Sequence, residues 1–149
     1  MMQRIAAEAV TRAPATLVFG LLKDPLTWTA WSPMDKSGPD KPGPDEPNGV
    51  GSTRAFTKGR VSGIDRVVEL VPNRRFSYVH VQGLPVRDYR GDVDLEDIRG
   101  GIRITWQATF KPKVPGTGWL MRRGLRKLLQ QMVDGLASYA TVRQSRQLR

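Results

Sequence analysis

Two stretches of the chain alternate strictly between apolar and polar residues. Tyr89, Gly91, Val93 and Leu95 alternate with Asp88, Arg90, Asp92, Asp94 and Glu96. Ile102, Ile104, Trp106, Ala108 and Phe110 alternate with Arg103, Thr105, Gln107, Thr109 and Lys111. A period of two sends successive side chains to opposite faces, so each stretch predicts a strand buried on one side and solvated on the other. Gly100-Gly101 between them is a hairpin signal. Upstream, Val50–Thr57, Val61–Val71 and Arg75–Val81 read as further strands, separated by Lys58-Gly59-Arg60 and Pro72-Asn73, and Gly83-Leu84-Pro85 breaks the chain again.

The period changes near each end. Residues 3–12 read as a first strand, with Ile5, Ala7 and Ala9 on one face. Pro14 suits a helix start, and Leu17, Val18, Leu21 and Leu22 give that helix an apolar face. Asp24-Pro25 predicts a cap and first residue for a short second helix at about 25–31, carrying Leu26, Trp28 and Trp31. Residues 33–48 hold five of the eleven prolines and read as a Pro/Gly-rich insertion without regular structure. After a Pro/Gly-punctuated loop, Leu125, Leu128, Leu129, Met132, Val133, Leu136 and Ala140 recur at three- and four-residue spacing. This predicts a long amphipathic helix, with Thr117 as its cap and Arg122, Arg123, Arg126, Lys127, Gln130, Gln131 and Asp134 on its polar side.

An apolar helix face needs an apolar partner, and the sheet supplies one. The predicted architecture is α+β. A curved antiparallel sheet of six to seven strands wraps around the long C-terminal helix, and two short helices follow the first strand. A single domain is expected over 1–149, with no internal repeat. Where the first two helices and the sheet diverge, a cavity can remain.

In order along the chain, APATLVFGLLKDPLTWTAWSP (13–33), GVGSTRAF (49–56), RVVELVPNRRFSYVHVQGLP (66–85), DYRGDVDL (88–95), GIRITWQATFKPKVPGTGWL (101–120) and the final helix match one family. The chain resembles the SRPBCC superfamily, the START-like helix-grip fold, and within it the branch called polyketide cyclase/dehydrase and lipid transport proteins. The resemblance implies an elongated, mainly apolar cavity between sheet and helix. It implies no catalytic residue, because no single catalytic motif unites the branch.

Composition narrows the chemistry. The 149 residues contain no cysteine and one histidine, His80, which excludes thiolate chemistry, HExxH zinc sites and multi-histidine metal centres. No GxSxG elbow or P-loop is present, and no cofactor is expected. Asp92, Asp94 and Glu96 fall on the solvated strand face, where they offset Arg90 and Arg103 rather than form a paired-carboxylate site. Trp28, Trp31, Phe56, Tyr78, Tyr89 and Trp106, with Leu125, Leu129 and Met132 from the helix, are the candidate cavity walls; the alternative for each is simple core. Arg54 and His80 are the candidate polar groups. Arg54 would meet an anionic ligand head, and His80 would act as a hydrogen-bond partner or general base. The strand carrying His80 is ambiguous, since Val79 and Val81 compete for the buried face.

The expected function is binding of a hydrophobic small molecule, a lipid, polyketide or aromatic metabolite. One alternative is a polyketide cyclase/dehydratase in which Arg54, Tyr78, His80 or Tyr89 move protons or polarise carbonyls. Another is interaction through the basic C-terminal surface. The net charge is +10, and Lys111 to Arg149 carries nine basic residues against one acid, giving 9 − 1 = +8. Transient contact with an anionic membrane is compatible with this charge. Nucleic acid is not expected, because no aromatics interleave the basic residues. The expected state is a monomer or homodimer in the cytoplasm, as no signal peptide or membrane-spanning run is recognisable.

Overall fold

In the computed structural model, which describes residues 2–147, the chain runs β1 (Gln3–Thr11), α1 (Ala15–Lys23), a 3-10 turn (Pro25–Thr27), α2 (Trp28–Trp31) and β2 (Lys36–Lys41). It continues through β3 (Thr53–Lys58), β4 (Val61–Val71), β5 (Arg75–Gln82), β6 (Val86–Ile98), β7 (Gly101–Pro112) and α3 (Gly118–Gln147). The strands form one seven-stranded antiparallel sheet in the order β1-β7-β6-β5-β4-β3-β2. Helix α3 packs on β1 and β7 and against α1 and α2.

The alternation read from the sequence sets the faces. Ile102, Ile104, Trp106, Ala108 and Phe110 are buried under α3, as are Ile5 and Ala7 of the neighbouring strand. Their partners across α3 are Leu125, Leu129, Met132, Val133, Leu136 and Ala140. On the outer face the acids pair as expected. Asp94 binds Arg75 at 2.7 Å, Asp92 binds Arg90 at 3.1 Å, Glu69 binds Arg90 at 2.9 Å, and Glu96 lies 3.4 Å from Arg103. These are surface pairs, each contributing at most about 1 kcal/mol.

Four expectations change. Residues 33–48 are not without regular structure. Lys36–Lys41 form an edge strand on β3, with Lys36 opposite Thr57 and Pro39 opposite Arg54. Buried Met34 anchors the segment, and Asp35, Asp40 and Glu46 bond Gly59, Thr53 and Lys23 respectively. The following strand starts at Thr53 rather than Val50, because Gly49–Ser52 close a turn. Thr117 precedes α3, but its hydroxyl donates to the Val114 carbonyl at 2.6 Å instead of accepting a helix N–H. Finally, the sixth strand begins at Val86 and carries a bulge between Arg87 and Arg90, where Asp88 adopts a φ of 53°. The bulge shifts the parity of the strand. Val86 faces inward before it, and Tyr89, Gly91, Val93 and Leu95 face inward after it.

Elsewhere the expected local chemistry is present. Asp24 caps the 3-10 turn by accepting from the Leu26 N–H at 3.0 Å, and Pro25 follows as the first residue.

Candidate functional site

The gap between α3 and the β3–β5 side of the sheet is a cavity of about 380 Å3. Phe56 of β3, Asp65 of β4, Tyr78 and His80 of β5 and Tyr89 of β6 line one side, and Leu125, Leu128, Leu129 and Met132 of α3 line the other. Trp28, Met34, Arg54, Lys58, Val61, Leu84, Lys127 and Gln131 also contribute to the lining.

Two wall positions depend on glycine. Phe56 is the cross-strand partner of Gly63, and Tyr78 that of Gly91. A Cβ at either glycine would collide with the partner's ring, so the missing side chain lets each ring lie against the neighbouring strand. Tyr78 is held there from behind, since the Trp106 indole N–H donates to its hydroxyl at 3.1 Å. Its neighbour Tyr89 has its ring centroid 6.1 Å away and stacks on Phe110 at 6.0 Å. Burial raises both phenols above their ordinary value, so they remain neutral and serve as hydrogen-bonding groups rather than as bases.

The polar edge of the cavity spans three strands. Arg54 is paired in register with Asp65, and Asp65 with His80. The structure resolves the ambiguity of the fifth strand: Phe76, Tyr78 and His80 turn inward, while Val81 is exposed. His80 places Nδ1 2.8 Å from Asp65 Oδ1, and its Nε2 accepts the Leu84 backbone N–H at 2.9 Å. Because Nε2 accepts, the ring proton sits on Nδ1 and points at the carboxylate. Both nitrogens are therefore engaged. His80 orients Asp65 and holds the Gly83–Pro85 loop, and it has no lone pair to offer a ligand.

Arg54 is likewise committed. Its Nη1 donates to the Leu22 carbonyl and its Nη2 to the Lys23 carbonyl, both at 2.9 Å, which satisfies the free end of α1. The guanidinium lies 5.1 Å from the Phe76 ring centroid and 5.8 Å from that of Trp28. Its Nε–H is buried without a hydrogen-bond partner among the described residues. Burial lowers its pKa to about 10, with the charges of Asp65 and Asp24 opposing the shift.

Asp65 is the polar residue that the sequence pattern did not single out. A carboxylate in a strand ordinarily reads as solvated. Its shared parity with buried Gly63 and Val67 was the available signal. Burial raises its pKa above the usual 3.8, outweighing the His80 hydrogen bond and the charge of Arg54. The folded chain thus holds this proton more tightly than the unfolded chain, so stability falls as pH rises through the interval between the two pKa values. Asp65→Asn, which does not titrate, should gain on the wild type in urea midpoint as pH climbs from about 3.5 toward neutrality. A pH-independent difference between the two proteins would contradict this burial.

Nine of the eleven wall candidates reach the cavity: Trp28, Arg54, Phe56, Tyr78, His80, Tyr89, Leu125, Leu129 and Met132. Trp31 and Trp106 do not. They lie in a layer behind the wall, where Trp106 meets the Trp28 ring edge-on at 5.7 Å and Trp31 tilts against Trp28 at 4.7 Å. Among the described residues no group of three His, Asp or Glu side chains is placed to hold a metal ion.

A curved antiparallel sheet gripping one long helix, with an apolar cavity between them, defines the helix-grip class. The sequence makes the assignment narrower: residues 2–141 match the family described as polyketide cyclase / dehydrase and lipid transport, and the chain belongs to that family. Similar solved structures include the Zhui aromatase/cyclase from Streptomyces sp. R1128, at 16% identity over 100% of this chain and 97% of that one, with a TM-score of 0.76. Protein CV1439 from Chromobacterium violaceum is 22% identical over 93% and 96% of the two chains, with a TM-score of 0.68. TTHA0849 from Thermus thermophilus is 19% identical over 94% and 98%, with a TM-score of 0.71. Likeness at these identities shows the fold alone. No curated protein matches the sequence.

Proposed function

We propose that this protein binds a mainly apolar, uncharged small molecule bearing a hydroxyl group. The carrying observation is the cavity itself: about 380 Å3 of aromatic and aliphatic wall, interrupted by the buried carboxylate of Asp65. That volume falls within the range of small-molecule sites. An anionic head is disfavoured, because the Arg54 guanidinium already serves two carbonyls and faces Asp65 across the strand pair. A hydroxyl that donates to Asp65 would offset the cost of holding that charge out of water.

The uncharged fluorophore N-phenyl-1-naphthylamine provides the test. Its emission should rise on binding, and long-chain alcohols should displace it at lower concentration than the matching fatty acids. Leu128→Trp, which fills the cavity from a half-buried position, should weaken binding by about tenfold or more. No emission change, or none caused by the substitution, would remove the reading.

The convergence of Arg54, Asp65, Tyr78, His80 and Tyr89 on one wall supports a second reading, a cyclase/dehydratase acting on a poly-β-ketone. In it Asp65 carries the proton transfer, since His80 is fully bonded and the tyrosines stay neutral. Asp65→Asn with intact probe binding but no turnover of such a substrate would favour the enzyme; equal turnover would exclude Asp65 from catalysis.

A further inference from the structure

The outward face of the first half of α3 is charged and unneutralised. Arg122, Arg123, Arg126 and Lys127 are exposed and line a shallow groove with Gln130. Among the described residues none of the four pairs with a carboxylate, whereas Arg74, Arg75, Arg90 and Arg103 on the sheet surface all do. At the head of this face stand large apolar side chains in open solvent: Trp119 at 68% exposure, Leu120 at 56% and Val114 at 56%. Trp119, Arg122, Arg123, Arg126 and Gln130 follow the three- and four-residue spacing of a single helix face. Leu120, Gly124, Lys127 and Gln131 form the adjacent stripe, and the last three line the cavity.

We infer that this face docks on an anionic phospholipid membrane, with Trp119, Leu120 and Val114 entering the interface and the arginines meeting lipid phosphates. Tryptophan favours the depth of the headgroups, and basic side chains beside it add attraction to an anionic leaflet. The other occupants fit less well. A second copy would set arginine against arginine across the symmetric contact. A nucleic acid would stack on Trp119, an exposed aromatic at the edge of the basic residues, but would leave Leu120 and Val114 in water. Docking by this face brings the Leu120–Gln131 stripe, and with it the side of the cavity lined by Lys127 and Gln131, close to the bilayer surface. The docking stands independently of what the cavity holds.

The test uses the whole protein with vesicles of phosphatidylcholine, with and without phosphatidylglycerol. Cosedimentation should require phosphatidylglycerol and weaken steeply with added salt. Trp119 emission should shift to the blue and become protected from acrylamide, over the constant background of buried Trp28, Trp31 and Trp106. Arg122→Gln/Arg123→Gln/Arg126→Gln should weaken binding by about a hundredfold. Trp119→Ser/Leu120→Ser should reduce it and abolish the shift. These positions are exposed, and unchanged melting temperatures show that each variant still folds. Equal binding to both vesicle types, binding unaffected by either variant, or duplex DNA binding in place of vesicle binding would overturn the inference.

Discussion

Arg54→Met should destabilise the fold by about 3–5 kcal/mol, the cost of breaking a buried charged network by removing one member. Methionine keeps much of the stem's volume, so the loss is chemical rather than a cavity. Two charge-assisted hydrogen bonds to the Leu22 and Lys23 carbonyls disappear. The Leu22 carbonyl keeps the Trp28 indole N–H at 3.0 Å, but the hydrogen-bond partner at Lys23 is lost. Contact of the cation with Phe76 and Trp28 goes too, and Asp65 is left without the facing charge. For a chain of this length the melting temperature should fall by about 10 °C or more. Arg54→Lys should rescue little, because a single ammonium cannot span both carbonyls as the planar fork does. Thermal unfolding of the three proteins measures this, and a loss below about 1 kcal/mol for Arg54→Met would show that the fork is not a structural tie.

Gly135→Ala should have an effect of comparable size from one added methyl group. Gly135 lies where α3 crosses α2, and a Cβ there would overlap the backbone carbonyl oxygen of Trp31. A flexible side chain would swing away, but a carbonyl in a short helix moves only if the helices separate. Overpacking of this kind costs about 3 kcal/mol. Separation would also shift Trp28 relative to Met132, which both line the cavity, so probe binding should fall together with stability. The same substitution one helical stretch earlier serves as the control. A Cβ on Gly124 meets nothing within 4 Å among the described residues, and alanine there should stabilise the helix by up to about 1 kcal/mol. Urea unfolding of the pair should give opposite signs; equal effects would place the helix crossing elsewhere.

The parts of this fold that the sequence made legible are those whose burial repeats with a period. The alternation of 102–110 and the three- and four-residue spacing of 125–140 each name the buried face directly. The misses have local causes. Lys36–Lys41 contains Gly38 and Pro39 and no large apolar residue, so nothing intrinsic marks a strand; it pairs because β3 offers an open edge beside it. Asp65 was obscured by its charge, although its neighbours' parity placed it inside. Trp31 and Trp106 carry the right chemistry for a wall but sit one layer behind Trp28 and Tyr78, a distinction that only packing makes. Val86 turns inward across the bulge between Arg87 and Arg90, which shifts parity without a periodic mark, whereas Tyr89 keeps the phase of Val93 and Leu95.

The edge strand β2 bears on how copies of this chain meet one another. A sheet that ends in a regular strand offers unpaired amides and carbonyls to any neighbour, and sheets can grow through such edges into swapped dimers or fibres. Here the outermost strand is six residues long, with lysine at each end, a proline that has no amide to donate, and an irregularity between Pro39 and Lys41. Added strands would meet positive charge and a broken ladder. The segment that resembles a loop in composition thus protects this border of the sheet against edge-to-edge aggregation.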